Sequence, residues 1–296
     1  MKEVKLGPLY YDYDRRYPPR LRIEPGERVQ VETEDAFTAQ IRGEGDRRDK
    51  TAEPRSNPQT GPILVQGAMP GDTLAVKIES IEPSIGQCAT YTTNPKQLGQ
   101  WLGDDCPHGS HVCPIKDGKI HWSPQVTIPY QPMLGCIATA PDGVVPTTLT
   151  AGPHGGNMDI IETCPSNTVY LPVFVDGAML FLGDAHAAMG HGELSAAGLE
   201  MPARTVITVN LLKGKAISWP RIESPSQIMA ITTGRPMERS IAHAFACLIL
   251  WMEADYGWPR WKAYDLLTHT GRISVGYYDI GTVAAKVAKN YVESGP

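Results

Sequence analysis

Apolar and polar residues alternate in short runs over the first 224 positions of the chain. Residues 25–32 and 70–77 each begin with a Pro-Gly turn and continue as an apolar–polar alternation. A period of two residues indicates a β-strand with one buried face, and Pro-Gly suits the turn that leads into it. Further short strands are predicted at residues 126–128, 135–139, 168–175, 178–182 and 205–211.

Two stretches between these strands carry their own signals. Asp176-Gly177 separates two apolar runs, and because Asp-Gly accepts the positive φ of a tight turn, it predicts a hairpin of residues 168–175 and 178–182. Residues 86–122 are rich in Gly, Pro, Asp and Trp and lack a clear period. So long an irregular stretch within a folded body predicts an excursion that covers a functional site.

The pattern changes after about residue 225. Apolar side chains recur every three to four residues over 237–256, which predicts an amphipathic helix that ends at Gly257. Pro259 is suited to the start of a second helix, through about residue 267. The predicted fold is therefore mainly β, with a β-sandwich-like body and a smaller helical C-terminal part, α+β overall. We predict a catalytic body over residues 1–224, with residues 225–296 packed on it.

Composition narrows the class of protein. The chain has 296 residues and a net charge of −5, with no basic block, so neither nucleic acid nor an anionic membrane is an expected partner. The N-terminus lacks the apolar region of a signal peptide, and no apolar run approaches the ~18 residues of a membrane span. Six scattered cysteines are more consistent with free thiols than with a disulfide framework. A cytoplasmic protein is expected.

Two Gly-rich clusters hold the candidate chemistry, at residues 151–159 and 183–193. Asp184 and His186 follow a predicted strand at positions i and i+2, so an extended backbone points both side chains to one face. Together with His154 from the first cluster, they predict a site for a divalent metal ion with an open position for water. Zinc is the expected ion, and calcium or manganese are also compatible with these ligands.

A water bound to such an ion has a lowered pKa and is the predicted nucleophile. Glu193 is the predicted general base and later proton donor, because Gly190 and Gly192 let the chain curl back towards the ion. The alternative is that Asp and His in Gly-rich turns serve only as turn formers and caps. Other mechanisms lack their motifs: there is no G-x-S-x-G elbow, phosphate-binding loop or C-x-x-C pair, and Ser195 has no recognisable partner Lys.

An ordered set of motifs resembles the acetamidase/formamidase family. The set consists of residues 33–36, 57–63 with 71–72, 132–135 with 140–141, 154–159 and 183–188. The resemblance implies a β-sandwich-like body with a helical appendage, hydrolysis of formamide or acetamide to acid and ammonia, and a homodimer or larger homo-oligomer. It also marks Asp35 as catalytic. Asn157, Asp159 and His191 are assigned to substrate binding.

Two positions depart from the family pattern. His191 stands where relatives usually carry a second acid, and Ser195-Ala196-Ala197 stands where they often have Cys-Gly-Thr. The lack of a thiol favours metal-activated water, and the change at His191 leaves the substrate open. One alternative is a hydrolase of the same fold that acts on a larger amide or another C–N bond. The other is a non-catalytic β-sandwich that binds a metal or ligand.

Overall fold

The computed structural model describes residues 1–92, 98–103 and 105–295 of the chain, which form short strands and a few helices. The strands are β1 Lys2–Val4, β2 Leu21–Ile23, β3 Glu27–Thr33, β4 Gln59–Val65, β5 Thr73–Pro83, β6 Gln87–Thr92, β7 Gly109–Lys116, β8 Lys119–His121, β9 Thr127–Pro129, β10 Met133–Thr139, β11 Ala151–Gly152, β12 Gly155–Asn157, β13 Thr168–Pro172, β14 Leu180–His186, β15 Ala203–Leu212, β16 Arg221–Glu223, β17 Gln227–Thr233, β18 Arg272–Val275 and β19 Thr282–Ala288. The helices are α1 Gly99–Leu102, α2 Met237–Tyr256, α3 Arg260–Thr270 and α4 Lys289–Glu293.

Two large sheets pack face to face. The first has nine strands in the order β1-β3-β15-β5-β13-β16-β17-β19-β18, and the second has six in the order β11-β12-β10-β14-β4-β2. Their facing apolar side chains form one buried core, to which β3 contributes Val29 and Val31 and β14 contributes Leu180 and Leu182. Burying one face of each sheet explains the alternation in β3 and β5. The prediction of a mainly β, sandwich-like fold is confirmed.

The predicted hairpin around Asp176-Gly177 is wrong. β13 pairs with β5 and β16 in the nine-stranded sheet, whereas β14 pairs with β10 and β4 in the six-stranded sheet. Residues 173–179 therefore cross from one sheet to the other. The turn does adopt positive φ at Gly177, Ala178 and Met179. An Asp-Gly turn fits a corner between two sheets as well as it fits a hairpin.

The two predicted C-terminal helices are present as α2 and α3. Gly257 ends α2 in the left-handed conformation, and its backbone N–H bonds to the carbonyl of Met252. The same part of the chain also adds β17, β18 and β19 to the nine-stranded sheet, so its elements are of both kinds. The division at residues 224 and 225 stays a prediction. Among the described residues, no helix is long and apolar enough to cross a membrane.

The stretch of residues 86–122 is more regular than its sequence indicates. β6, β7, β8 and the following β9 form a four-stranded antiparallel sheet. Tyr91 and Val112 of this sheet pack against a cluster that contains Ala36 and Phe37. Residues 93–97 and 104 of the predicted excursion lie outside the described residues. The part that is described brings Tyr91 to the wall of the cavity that holds the candidate site.

Candidate active site

The two Gly-rich clusters meet because β10 lies between β12 and β14 in the six-stranded sheet. Cys136 of β10 is the register partner of Asn157 on one side and of Gly183 on the other. Residues of the two clusters that are far apart in sequence thus become neighbours across one strand. The structure brings Asn157, Asp159, Asp184 and His186 to the same end of this sheet.

Asp184 and His186 converge, as their spacing predicts, but by a different backbone route. The Nε2 atom of His186 lies 3.5 Å from Oδ1 of Asp184, and both side chains are buried. Asp184 has a φ of 57°, in the left-handed region, so the backbone is not extended there. A local bend at Asp184, rather than strand alternation, aims its carboxylate towards the imidazole.

Glu200 completes this group and was missed from the sequence. Its Oε2 atom lies 3.3 Å from Nε2 of His186, and its Oε1 atom accepts a hydrogen bond from the backbone N–H of Gly198 at 2.8 Å. The side chain is buried. The one available signal is an acid placed between Leu199 and Met201 in an apolar run, since an isolated buried carboxylate needs a partner.

The polar atoms of this group point at a common space rather than at each other. Within the described parts of the chain, Asp184 Oδ1, Glu200 Oε2 and both ring nitrogens of His186 make no hydrogen bond, although they are buried. Buried polar atoms without partners destabilise a folded chain, so the group is arranged for a ligand. The separations of 3.3 and 3.5 Å match the spacing between ligand atoms around a tetrahedral Zn²⁺ ion, about 3.3 Å for bonds of ~2.0–2.1 Å. The residues fit a divalent ion.

Asp159 and Glu193 form a second group around the same imidazole. One ligand atom from each of Asp159, His186 and Glu193 lies within 4.8 Å of the other two. Burial raises the pKa of Asp159 well above its usual range, and the negative charges of Glu193 and Asp184 add to the effect. Acids this close oppose each other's ionisation, which a cation relieves.

The pKa values follow from this crowding. Burial raises the pKa of Glu200 to about 7, against the opposing effect of His186. Burial would lower the pKa of His186, but the carboxylates of Glu200 and Asp184 outweigh it and raise that pKa well above its usual value. The site holds more negative charge than its own imidazole can balance.

A further layer fixes the orientation of Asp184. Asn57 Nδ2 donates hydrogen bonds to Asp184 Oδ2 at 2.9 Å and to Asn157 Oδ1 at 2.8 Å, and Cys136 Sγ lies 3.4 Å from Asp184 Oδ2. With Oδ2 held in this way, Oδ1 is left facing His186. Such partners set the direction of a metal ligand. Asn57 belongs to the site, although only its resemblance motif draws attention to it.

Asn157, which is predicted to bind substrate, makes hydrogen bonds with the residues that orient Asp184. Its Oδ1 atom accepts from Asn57 and from Cys136 Sγ at 3.0 Å, and its Nδ2 atom donates to Asp159 Oδ2 at 2.7 Å. Asn157 also lines the cavity, so substrate binding by Asn157 stays a prediction. Substrate binding by Asp159 stays a prediction.

The structure places His154 apart from the converging ligand atoms, so its role as a metal ligand stays a prediction. Its ring packs against Tyr13, with 5.3 Å between centroids, and burial lowers its pKa to about 4. In the described chain it belongs to neither group of convergent ligand atoms. The strongly turned Gly155 and Gly156 follow it, and its side chain folds over its own loop instead of reaching across to His186. Glu200 lies beside Asp184 and His186.

Asp35 and His191 lie apart from the acids. Asp35 Oδ1 accepts the backbone N–H groups of Phe37 at 2.8 Å and Ala39 at 3.2 Å, and Oδ2 accepts from Arg42. These are the contacts of a turn-forming acid, so a catalytic role for Asp35 stays a prediction. His191 is exposed and lines a neighbouring groove rather than the cavity with Asp184. The turn at residues 193–197 borders both spaces.

The acids open into a cavity of about 360 Å³. Asp184, Glu193 and Glu200 lie at one end, and the other walls include Phe37, Tyr91, Leu149 and Tyr277. Glu193 is buried and has a φ of 45°, again in the left-handed region. Buried acids at the end of a partly aromatic cavity provide a place where a small polar molecule can react out of bulk water.

Comparison with known proteins shows the family of the chain. The model of the Acetamidase/Formamidase family matches residues 10–151 and 146–270. This chain belongs to the acetamidase/formamidase family. The resemblance read from the ordered motifs is confirmed. A crystal structure of acetamidase from Yersinia enterocolitica is 36% identical, has a TM-score of 0.87, and aligns over 96% of this chain and 89% of its own.

Other members of the family give the same result. Acetamidase from Bacillus halodurans is 31% identical, with a TM-score of 0.90 and 99% coverage of both chains. Among curated relatives, acetamidase of Mycolicibacterium smegmatis is 29% identical over 67% of this chain, and formamidase of Methylophilus methylotrophus is 24% identical over 70%. The match spans 64% and 65% of the length of these two relatives. A γ-lactamase from Delftia acidovorans, 19% identical with a TM-score of 0.66, shares the fold.

Proposed function

We propose that this chain hydrolyses short amides to a carboxylic acid and ammonia, with a divalent metal ion held by Asp184, His186 and Glu200. The observation that carries the proposal is the set of buried ligand atoms that converge without hydrogen bonds among the described residues. Membership of the acetamidase/formamidase family and relatives named acetamidase and formamidase support the reaction type. An imidazole with two carboxylates is compatible with zinc, and with manganese or calcium as alternatives.

When bound, such an ion supplies Lewis-acid polarisation and makes water a stronger nucleophile at neutral pH. The protein supplies the proton transfers. Glu193 lies in the cavity close to His186 and Asp159, and its carboxylate accepts a proton from the attacking water. The same carboxyl then gives that proton to the amide nitrogen as the C–N bond breaks and ammonia leaves. Asn57 and Asn157 keep Asp184 aimed at the reacting end of the cavity.

The test combines metal content with ammonia release. Protein purified without added metal should contain close to one divalent ion per chain, measured by elemental analysis, and should release ammonia from formamide or acetamide. Glu200→Gln and His186→Asn should lose the ion and the activity together, because each removes one of the converging ligand atoms. His154→Gln is the matched control, since His154 is equally buried in the neighbouring cluster but faces Tyr13.

Two results would contradict the proposal. Full activity in protein that contains no metal would remove the ion from the reaction. Loss of metal in His154→Gln, with retention in Glu200→Gln, would restore the ligand set predicted from the sequence.

A further inference from the structure

The cavity is larger than a one- or two-carbon amide requires. Its volume of about 360 Å³ falls within the range of roughly 300–1,000 Å³ found for pockets that bind drug-sized ligands. Formamide or acetamide at the acidic end would leave most of this space unfilled. The other lining residues therefore indicate which further chemical groups the substrate contains.

The lining of the cavity also includes two cationic side chains, Arg48 and Lys50. Arg48 donates to Ser56 Oγ at 2.5 Å and to the carbonyl of Arg55 at 2.6 Å, both neutral acceptors. Its Nε atom is buried and makes no hydrogen bond with any described residue. Burial lowers the pKa of Arg48, although a guanidinium remains charged at neutral pH.

The acids near Arg48 are already engaged by other cations. Asp35 and Glu34 pair with Arg42, and Glu53 pairs with Arg55 through two bonds of 2.8 and 2.9 Å. Neither Arg48 nor Lys50 has an ion pair in the described part of the chain. A partly desolvated guanidinium without a carboxylate partner is unfavourable, and an anionic ligand group relieves it through charge-assisted hydrogen bonds.

Two consecutive residues link Arg48 to the acids. Ser56 accepts from Arg48, and the next residue, Asn57, donates to Asp184. Because Ser56 and Asn57 are consecutive, with Cα atoms about 3.8 Å apart, one dipeptide contacts both the guanidinium and Asp184. A molecule that reaches both needs an amide and an anionic group joined by a short chain.

Resting on the proposed function, we infer that the substrate is a short amide with a terminal carboxylate, which Arg48 and Lys50 bind. The monoamides of four- and five-carbon dicarboxylic acids, succinamate and glutaramate, have this chemistry. Hydrolysis breaks the C–N bond, forms a C–O bond from water, transfers both protons of the water to nitrogen, and yields a dicarboxylate and ammonium.

The experiment compares kcat/KM for succinamate, glutaramate, acetamide and 4-methylpentanamide, in which an isopropyl group replaces the carboxylate of succinamate. Wild-type protein should prefer one of the carboxylate-bearing amides over 4-methylpentanamide by at least about tenfold. Arg48→Met should lower kcat/KM for that substrate about 10- to 100-fold, the range expected for a charged hydrogen bond, and should lower kcat/KM for acetamide by a smaller factor. Arg48→Lys should recover part of the loss.

Two further variants separate recognition from structure. Arg48 also tethers residues 55 and 56, so Lys50→Met, whose side chain makes no described hydrogen bond, is the second test and should lower kcat/KM for the same substrate selectively. Arg47→Met is the matched control, because Arg47 is an exposed neighbour outside the cavity and should not change the preference.

The outcomes distinguish this inference from the proposed function. Hydrolysis of acetamide with no preference for carboxylate-bearing amides, or equal loss on all amides in Arg48→Met and Lys50→Met, would overturn the inference and leave the amidase assignment intact. Failure of metal-loaded protein to hydrolyse any of the four amides would overturn both.

Discussion

Gly135 lies in β10 directly beneath the acids of the site, and Gly135→Ala is the sharpest test of how tightly they are positioned. A methyl carbon at this position would lie 2.6 Å from Asp159 Oδ1 and 3.0 Å from Asp184 Cγ, and closer still to Asp184 Oδ2. The φ of Gly135 is not in the left-handed region, so the backbone itself accepts alanine. Any effect must therefore come from contact with the two carboxylates.

The size of the effect follows from these distances. Ordinary van der Waals contact begins at 3.4 Å, so the Asp159 oxygen must retreat by about 0.8 Å and Asp184 by more. A displacement of about 1 Å in a catalytic group lowers the rate about 10²-fold. An added methyl group in a filled core also destabilises the fold by about 1–3 kcal/mol, or roughly 2–10 °C in Tm. We expect a folded protein with kcat/KM reduced about 100-fold.

The assay measures kcat/KM by ammonia release, metal content by elemental analysis, and Tm by calorimetry. Gly86→Ala is the matched control, because a methyl group there would meet no heavy atom within 4 Å and its φ is also outside the left-handed region. It should stay within about twofold of wild type. Gly135→Ala with near-normal activity and metal content would refute the argument that Asp159 and Asp184 are held in place by close packing against β10.

Two other predictions concern the proton donor and the assembly. Glu193→Gln should lower kcat about 10²–10⁴-fold while metal content and Tm stay near wild type, as expected of a general base; a variant within a few-fold of wild type would exclude Glu193 from the proton transfer. The chain should form a homodimer or larger assembly at micromolar concentration, because Trp261 is 74% exposed and packs edge to face against Tyr264, which is also exposed on α3. Light scattering should give a multiple of 32.3 kDa for the wild type and a smaller mass for Trp261→Glu, and a monomeric wild-type mass would contradict the prediction.

The elements that could be predicted are those whose signal is local. The alternation in residues 25–32 and 70–77 became β3 and β5, and the helical stripe that ends at Gly257 became α2. Each pattern is set by which face of one element is buried, and it needs no knowledge of the neighbour. The Asp176-Gly177 turn is equally local. Which sheet the next strand joins depends on distant partners, and the hairpin prediction was wrong for that reason.

The same difference between local signals and distant partners applies to the candidate site. Asp184 and His186 were found because they are two residues apart in one Gly-rich cluster. Glu200 and Asn57 were not assigned, because only the fold brings them there: Asn57 lies 127 positions from Asp184 along the chain. His154 is the converse case. It shares the composition of a ligand loop, but its orientation is set by Tyr13, 141 positions earlier (154 − 13).

The backbone of the site explains how Asp184 and His186 converge without the extended backbone that their spacing predicts. Asn57, Asp159, Asp184 and Glu193 have φ values of 55°, 50°, 57° and 45°, a region that L-residues other than Gly rarely adopt and that destabilises the chain by about 1–3 kcal/mol at each position. Three buried carboxylate oxygens that make no hydrogen bond with the described residues, Asp159 Oδ1, Asp184 Oδ1 and Glu200 Oε2, oppose folding in the same place. The strained backbone and the carboxylate oxygens without hydrogen bonds both lie where the carboxylates converge. A bound cation directly offsets the unfavourable free energy of those oxygens. The left-handed backbone conformations at these residues, which the sequence does not predict, are thus the ones that direct the carboxylates into the cavity.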